Sequence, residues 1–375
     1  MNPVQRLYFD HNATTPLAPE VFAAMSPVMT EAFGNASSIH QFGQQARGLL
    51  DHARRQVAAS LQTRPEEIVF TSGGTEADNL ALFGVPGHVI TTGVEHPAVL
   101  QAASQLEDCT VVPVDSQGLV NPDAIRKAIK PATRLISVMH VNNELGVIQP
   151  IEEIARVARE AGVLFHSDGV QALGKIPLDL PELGVDFYSV SAHKIYGPKG
   201  TGALFARKNV ALRPLLYGGP QERKRRAGTE NVAGAVGFGS AAELQLSLNE
   251  MPRLGSLRDQ LERSLVAAIP GAHINGAGAP RVSNTTNIRF DGIDGEPLLI
   301  ALDLKGLAVS SGSACSSGAS EPSHVLRAIG LTGEQARSSI RVSLGLGNTA
   351  EHIEILSNAL VEAVARLRKL SPAYV

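Results

Sequence analysis

The chain has 375 residues, 43% hydrophobic and 18% charged, with a formal net charge of −3. That length supplies roughly two to three domains' worth of chain, and the near-neutral balance gives no electrostatic case for nucleic acid or membrane partners. Two cysteines, Cys109 and Cys315, with no CxxC pair, exclude a disulfide framework or a zinc ribbon and fit a reducing compartment. Residues 1–10 show no basic segment followed by an apolar run, and no stretch approaches the roughly 20 apolar residues that span a bilayer. The expectation is a soluble, cytoplasmic protein.

Arg6 to Asp10 reads as a short strand, followed by the polar turn His11-Asn12-Ala13-Thr14-Thr15-Pro16. After the Gly- and Ser-rich stretch 34–40, Ala46, Leu49, Leu50, Ala53, Val57 and Leu61 recur at three- and four-residue steps, which predicts an amphipathic helix. Ile68-Val69-Phe70 is a buried strand that runs into Thr71-Ser72-Gly73-Gly74-Thr75-Glu76, with a helix over Ala77 to Phe83. Strands are then expected at His88–Thr92, Val111–Val114, Leu135–Val141, Val163–His166, Phe187–Val190 and Thr201–Phe205. Helices fall between them at Pro97–Leu106, Pro122–Ile129 and Ile151–Ala161. Short apolar strands alternating with helices imply an α/β fold with a mostly parallel sheet covered on both faces.

Past about Ser240 the pattern changes. A long helical region (Ala241 to Ala268) precedes strands at Asn287–Phe290, Ala308–Ser310 and Ile340–Ser343, with helices at Pro297–Leu304 and Glu351–Leu370. The expected division is a large domain over 16–249 and a smaller α+β domain built from 1–15 and 250–375, which carries the Cys315 loop. The charge run Glu222-Arg223-Lys224-Arg225-Arg226 reads as a solvated loop.

The chemistry centres on Ser191-Ala192-His193-Lys194, at the end of an apolar strand, where open α/β sheets place ligands. A lysine forms a Schiff base with an aldehyde only as the free amine, a state favoured by desolvation or a nearby cation. Ser191 and His193 suit an anionic group, and Gly197, Pro198 and Gly200 turn the chain back. Alone, Lys194 would read as a solvated loop residue; its neighbours favour the chemical role. Gly73-Gly74-Thr75, between a strand and a helix, is a phosphate site or an ordinary glycine turn with Thr75 as N-cap, and it matches neither GxGxxG nor the Walker pattern. Asp168, at a buried strand end, suits a protonated pyridine nitrogen; its bland role is an N-cap. Gln171 is placed to reach the ring's phenolic oxygen.

His96 is a candidate to lie over a bound ring and shuttle protons, although a lone histidine is most often structural. Asn143 is a candidate for the cofactor oxygen and a substrate carboxylate. Arg341, a charge in the alternating strand 340–343, calls for a carboxylate partner, from substrate or from a structural salt bridge. Cys315 sits in Ser310-Ser311-Gly312-Ser313-Ala314-Cys315, without a bulky residue, and reads as a mobile nucleophile. Cys109 reads as a core residue.

Taken together, Tyr8-Phe9-Asp10-His11-Asn12-Ala13-Thr14-Thr15-Pro16, the stretch 71–79, Glu95-His96, the stretch 140–146, the lysine loop 191–200, Arg226-Ala227-Gly228-Thr229-Glu230-Asn231 and the run 310–315 resemble the NifS/IscS-type cysteine desulfurases, over essentially the whole chain and in order. The resemblance implies the fold-type I architecture of pyridoxal-phosphate (PLP) enzymes, a homodimer, and the cofactor on Lys194. Gly74, Thr75, Ser191 and His193 would hold its phosphate, with Thr229 reaching in from the other subunit. Asn143, Asp168 and Gln171 would hold the ring, His96 would stack on it, and Arg341 with Asn143 would take the substrate carboxylate.

The implied reaction converts L-cysteine to L-alanine and leaves the sulfur as a persulfide on Cys315, for an iron–sulfur scaffold or another acceptor protein. No intrinsic metal is implied, although Cys315 could transiently ligate a nascent iron–sulfur cluster. Three positions depart from the family's pattern. Pro220 and Lys224 stand where glycines are usual, and Gly169 replaces an alanine, a change expected to matter little. Another enzyme of the same fold (an aminotransferase or a selenocysteine lyase) and a non-catalytic sulfur-relay module stay open as alternatives.

Overall fold

A computed structural model describes residues 6–311 and 322–370. Its strands are β1 (Leu7–Tyr8), β2 (Ile68–Thr71), β3 (His88–Thr92), β4 (Cys109–Val112), β5 (Thr133–Ser137), β6 (Leu164–Asp168), β7 (Phe187–Ser191), β8 (Gly202–Ala206), β9 (Ala272–Ile274), β10 (Thr285–Phe290), β11 (Leu307–Ala308) and β12 (Ser339–Ser343). Seven of them form one sheet in the order β2-β8-β7-β6-β5-β3-β4. Only β8 runs against its neighbours, so β2, β3, β5, β6 and β7 all end at the same edge. Every residue of β2, β3, β7 and β8 is buried, as expected of strands covered by helices on both faces.

The helix Gln41–Ser60 shows why the pattern folds this way. Its stripe Ala46, Leu50, Ala53 and Val57 is fully buried against the helix Val232–Leu244, and each of the larger side chains contributes about 1.5–3 kcal/mol by leaving water. A second apolar cluster surrounds the antiparallel sheet β12-β10-β9, covered by the helices Leu246–Ala268 and Ala350–Leu370. Leu7 and Phe9, from the other end of the chain, belong to that second cluster, and β1 pairs with β11. No described helix is long and apolar enough to cross a membrane.

Several expectations need correction. The expected helix 241–268 is broken at Gln245, whose backbone is left-handed (φ 46°), and its first half starts at Val232. A helix at Pro19–Thr30 was not expected from the pattern, because its face is apolar nearly all round and Phe22 and Met29 stay exposed. The strand expected over 135–141 is Thr133–Ser137, although Val138 and His140 still donate to the His166 and Asp168 carbonyls of β6 before the turn at Asn142–Gly146. The strand expected at 308–310 is Leu307–Ala308, and Ser310 instead bridges Arg341. Cys109 is only half-buried, because it opens the edge strand β4.

The charge run is not a solvated loop throughout. Glu222 is buried and accepts from both terminal nitrogens of Arg54 at 2.7 and 2.6 Å. It also accepts from the Phe70 N–H at 3.0 Å, while Arg54 donates to the Ile68 carbonyl at 2.8 Å. Both backbone groups lie on the outer edge of β2, so this ion pair covers an otherwise open sheet edge. The turn that delivers Glu222 holds Glu222, Arg223 and Lys224 in the left-handed region (φ 43°, 56° and 65°), which explains the preference for glycine where Lys224 stands. Glu222→Ala strands a buried guanidinium and an edge N–H, and unfolding in urea should show a loss of about 3–5 kcal/mol.

Candidate active site

The shared strand edge brings the site together. At the end of β2 the Thr71 hydroxyl donates to the Gly73 carbonyl, and the helix Gly74–Gly84 begins at once. Its N-terminus turns unpaired N–H groups and the positive end of its dipole towards the cavity. A Cβ on Gly74 would press on a Val170 methyl at 2.6 Å, so the cup has no room for one. Gly73, not Thr75, is the N-cap; Thr75 lies in the first turn and lines the cavity.

At the end of β7, a short turn over Ala192–Lys194 presents His193 and Lys194. The turn is clamped to the N-terminal segment. Thr15 donates to the His193 carbonyl through both N–H and hydroxyl, and Tyr196, left-handed at φ 67°, donates its N–H to the Thr15 hydroxyl at 2.7 Å. Lys194 Nζ donates to the carbonyls of Asn12 (2.5 Å) and Ala13 (2.8 Å).

Asp168 closes β6, 5% exposed, with Oδ1 accepting from the Val170 N–H at 2.9 Å. The capping role and the cavity-facing role thus coexist. Burial pushes its carboxyl up to about 6, against the pull of the Val170 N–H and the Lys194 cation. Behind it lies a second buried carboxyl, Asp78, raised by burial and by Asp168 itself. His166, bonded to Ser137 and Ser189 and held neutral to about 3 by burial, sits 3.6 Å from Asp78.

His96 N-caps the helix Pro97–Ala103, its Nδ1 accepting from the Ala98 N–H at 3.1 Å, which leaves the proton on Nε2. Burial, the Lys194 cation and His324 lower its pKa to about 4. Arg341, 2% exposed on β12, pairs with Asp10 at 2.6 Å and donates to the Asn143 carbonyl at 3.0 Å. The structural ion pair expected as one alternative is therefore present, yet Arg341 Nε is buried without a hydrogen-bond partner in the described structure.

Asn12, Gly74, Thr75, His96, Asn143, Asp168, Gln171, Ser191, His193, Lys194 and Arg341 line one cavity of about 350 Å³, within the size range of ligand sites. Gln171 donates to the Asn12 carbonyl and accepts from Lys175. Thr229 is exposed and does not line the cavity. Its loop is tied to the Gly74 helix by Arg226–Glu76 at 2.9 Å. Cys315 lies outside the described residues. On one side of it Ser310 exchanges backbone hydrogen bonds with Arg341; on the other, Ser323 donates to Glu144 at 2.6 Å and His324 bonds the Glu95 carbonyl. No cluster of three metal-ligating side chains occurs among the described residues.

The aminotransferase class-V profile matches residues 7–356. The chain belongs to that family. Among its members it is 46% identical to a cysteine desulfurase IscS of Dictyoglomus turgidum, over 98% of this chain and 97% of that relative. Among solved structures, a NifS-like protein superposes with a TM-score of 0.89 at 38% identity, covering 97% of this chain and all of that one. A structure described as SspA in complex with cysteine matches with a TM-score of 0.81 at 36% identity, over 91% and 99% of the two chains. Class-V aminotransferases of the cysteine desulfurase kind depend on PLP.

The cavity fits that group. Its lining offers helix N–H groups, Ser191 and His193 for a phosphate, a buried carboxylate for a cationic nitrogen, and the amine of Lys194. The Arg341 Nε without a partner leaves a donor for a further anion. Sequence reasoning missed Asn12, Asp78 and Lys175 as parts of this site. Their signal is a lone polar or charged residue inside apolar or turn-forming stretches, such as Lys175 in Ala172-Leu173-Gly174-Lys175-Ile176.

Gly169 also matters more than expected. A Cβ there would meet the buried Tyr188 ring at 1.9 Å, and that ring's hydroxyl bonds His140 Nδ1 at 2.7 Å. Gly169→Ala should therefore lower stability by about 1–3 kcal/mol in thermal melts. His96 should stay neutral down to about pH 4 in an NMR titration. Because that value lies below the ordinary one, its contribution to stability is full above about pH 6.5 and is lost as pH falls towards 4. Wild type should accordingly lose stability relative to His96→Asn across that window, read from denaturant midpoints.

Proposed function

We propose that this protein is a PLP-dependent cysteine desulfurase that converts L-cysteine to L-alanine and keeps the sulfur as a persulfide on Cys315. The observation that carries the reading is the meeting of Lys194, Asp168, His96 and Arg341 on one cavity, in a chain similar over almost its whole length to named cysteine desulfurases. The cysteine complex of a relative supports the substrate.

Gly74, Thr75, Ser191 and His193 would hold the cofactor's phosphate, Asn143, Asp168 and Gln171 its ring, and His96 would stack on it. When bound, PLP supplies an aldehyde for the lysine and a cationic ring that withdraws electrons from the substrate. Lys194 provides the amine that holds the cofactor and that moves the Cα proton of the substrate. Asp168, in a buried setting that disfavours an isolated charge, is stabilised as a carboxylate by a cationic nitrogen beside it. Arg341 and Asn143 orient the substrate carboxylate. The Cys315 thiolate attacks the substrate sulfur; the Cβ–S bond breaks, its electron pair stays with Cβ, and a proton completes L-alanine.

We further assign residues 16–249 to a large cofactor-binding domain, and 1–15 with 250–375 to a small domain that carries Cys315. A homodimer is supported by exposed apolar side chains near the start of the chain. Phe22 and Met29, seven residues apart on one helix face, are exposed, as are Phe33, Ile39 and Phe42, with Phe33 stacked on Phe42 at 5.7 Å. Dimerisation is the arrangement that brings Thr229 to the partner's cavity. The sulfur goes on to an acceptor protein, an iron–sulfur scaffold being the family's usual one, in a reducing cytoplasm.

Mass spectrometry after brief exposure to L-cysteine should show one added sulfur on the Cys315 peptide. Cys315→Ala should abolish sulfide release while keeping the cofactor's visible absorbance, and Lys194→Ala should lose that absorbance. Full sulfide release by Cys315→Ala would reject the nucleophile, and an unchanged spectrum in Lys194→Ala would reject the tether.

A further inference from the structure

Lys175 is buried beneath the cavity, four residues after Gln171 in a run of tight turns that follows β6. Its Nζ donates to two side-chain amide oxygens, Asn12 Oδ1 at 2.7 Å and Gln171 Oε1. The NH2 end of each amide has partners of its own. Asn12 Nδ2 faces two acceptors, the Asn143 carbonyl at 3.1 Å and the Thr285 hydroxyl at 2.9 Å, so Oδ1 is the end left for donors, Lys175 and the Asn284 amide at 3.2 Å. Gln171 Nε2 faces the Asn12 carbonyl at 2.9 Å, so its oxygen likewise turns to Lys175. The same Asn12 carbonyl accepts from Lys194.

We propose that Lys175 is a positioning residue that locks the Asn12 and Gln171 amides, so that Gln171 presents an N–H donor and Asn12 a fixed carbonyl to the cofactor site. An amide NH2 has two hydrogens. One of those on Gln171 goes to Asn12, and the other remains for an acceptor in the cavity that Gln171 lines. Without Lys175 the Gln171 oxygen would lose its buried donor, and the Asn12 carbonyl alone would hold the amide, which would no longer fix its second N–H on that acceptor. Burial and the nearby cations Lys194 and Arg341 hold the Lys175 amine well below its ordinary pKa. Both its forms carry the two hydrogens that these oxygens need.

The inference rests on the PLP reading above, and its test separates the two. The cofactor dissociation constant and the pH midpoint of the visible absorbance band are measured for wild type, Lys175→Met, Gln171→Ala and the double variant, with melting of the cofactor-free proteins alongside. Each single variant should weaken PLP binding by about tenfold, the worth of one net hydrogen bond, and move the midpoint in the same direction. The double variant should fall short of the product of the two single effects, because Lys175 acts partly through Gln171. Additive effects, or a Lys175→Met protein that melts lower but keeps the wild-type dissociation constant and midpoint, would overturn the proposal. Should Lys175→Met not fold, Lys175→Gln, which keeps an amide donor, replaces it in the same cycle, and additivity again decides against. Wild type that binds no PLP would defeat the earlier reading instead.

Discussion

The amine of Lys194 reaches its place on β7, but it meets main-chain carbonyls that belong to the other end of the molecule. Asn12 and Ala13 follow β1, whose Leu7 and flanking Phe9 are buried with the C-terminal strands and helices. The lysine contact is therefore also a contact between the seven-stranded sheet and the second core. Asn12 extends it, through Ser343, Thr285 and Asn284 on one side and Gln171 and Lys175 on the other. A main-chain carbonyl suits this role because its position follows from the backbone and is not set by a rotatable side chain.

Around that contact the protein buries more charge than an apolar interior tolerates at rest. Asp168, Asp78, Glu95 and Glu144 are all nearly enclosed, and burial raises each of their pKa values, Glu95 to about 8. Arg341 and Lys175 are enclosed as well. Buried charge of this kind is costly unless it is paired. Part of the compensation is internal: Asp10 for Arg341, the Thr92 hydroxyl and Met139 N–H for Glu95, Ser323 for Glu144. Asp168 accepts from the Val170 N–H and faces the cavity, so a cation bound there would be held by a group already dehydrated. Perturbed acids and bases gathered on one cleft are the physical mark of a functional site.

Much of this was legible in the residues. Short apolar runs alternating with 3.6-periodic segments announced a parallel α/β sheet, and polar residues at the ends of those runs marked Gly74, His96, Asn143, Asp168 and Lys194 as neighbours at one edge. The misreadings share a cause. Glu222 lies in a run that is charged locally, yet it is drawn inside by the open edge of β2, a partner more than 150 residues away along the chain. Gly169 reads as interchangeable with alanine until the Tyr188 ring is seen beside it.

What the sequence by itself determined is the set of local preferences: roughly where strands and helices fall, which loops are rich in glycine, and which polar residues close the apolar strands. These follow from short-range sterics and periodicity, which neighbouring residues carry in full. Only the tertiary structure decided that Asn12 would stand between Lys194 and Lys175, that Asp78 would back Asp168, and that Arg341 would pair with Asp10 while keeping one nitrogen without a bond. Those are contacts between segments far apart in the chain, and their energies depend on dehydration and distance, which no local pattern encodes.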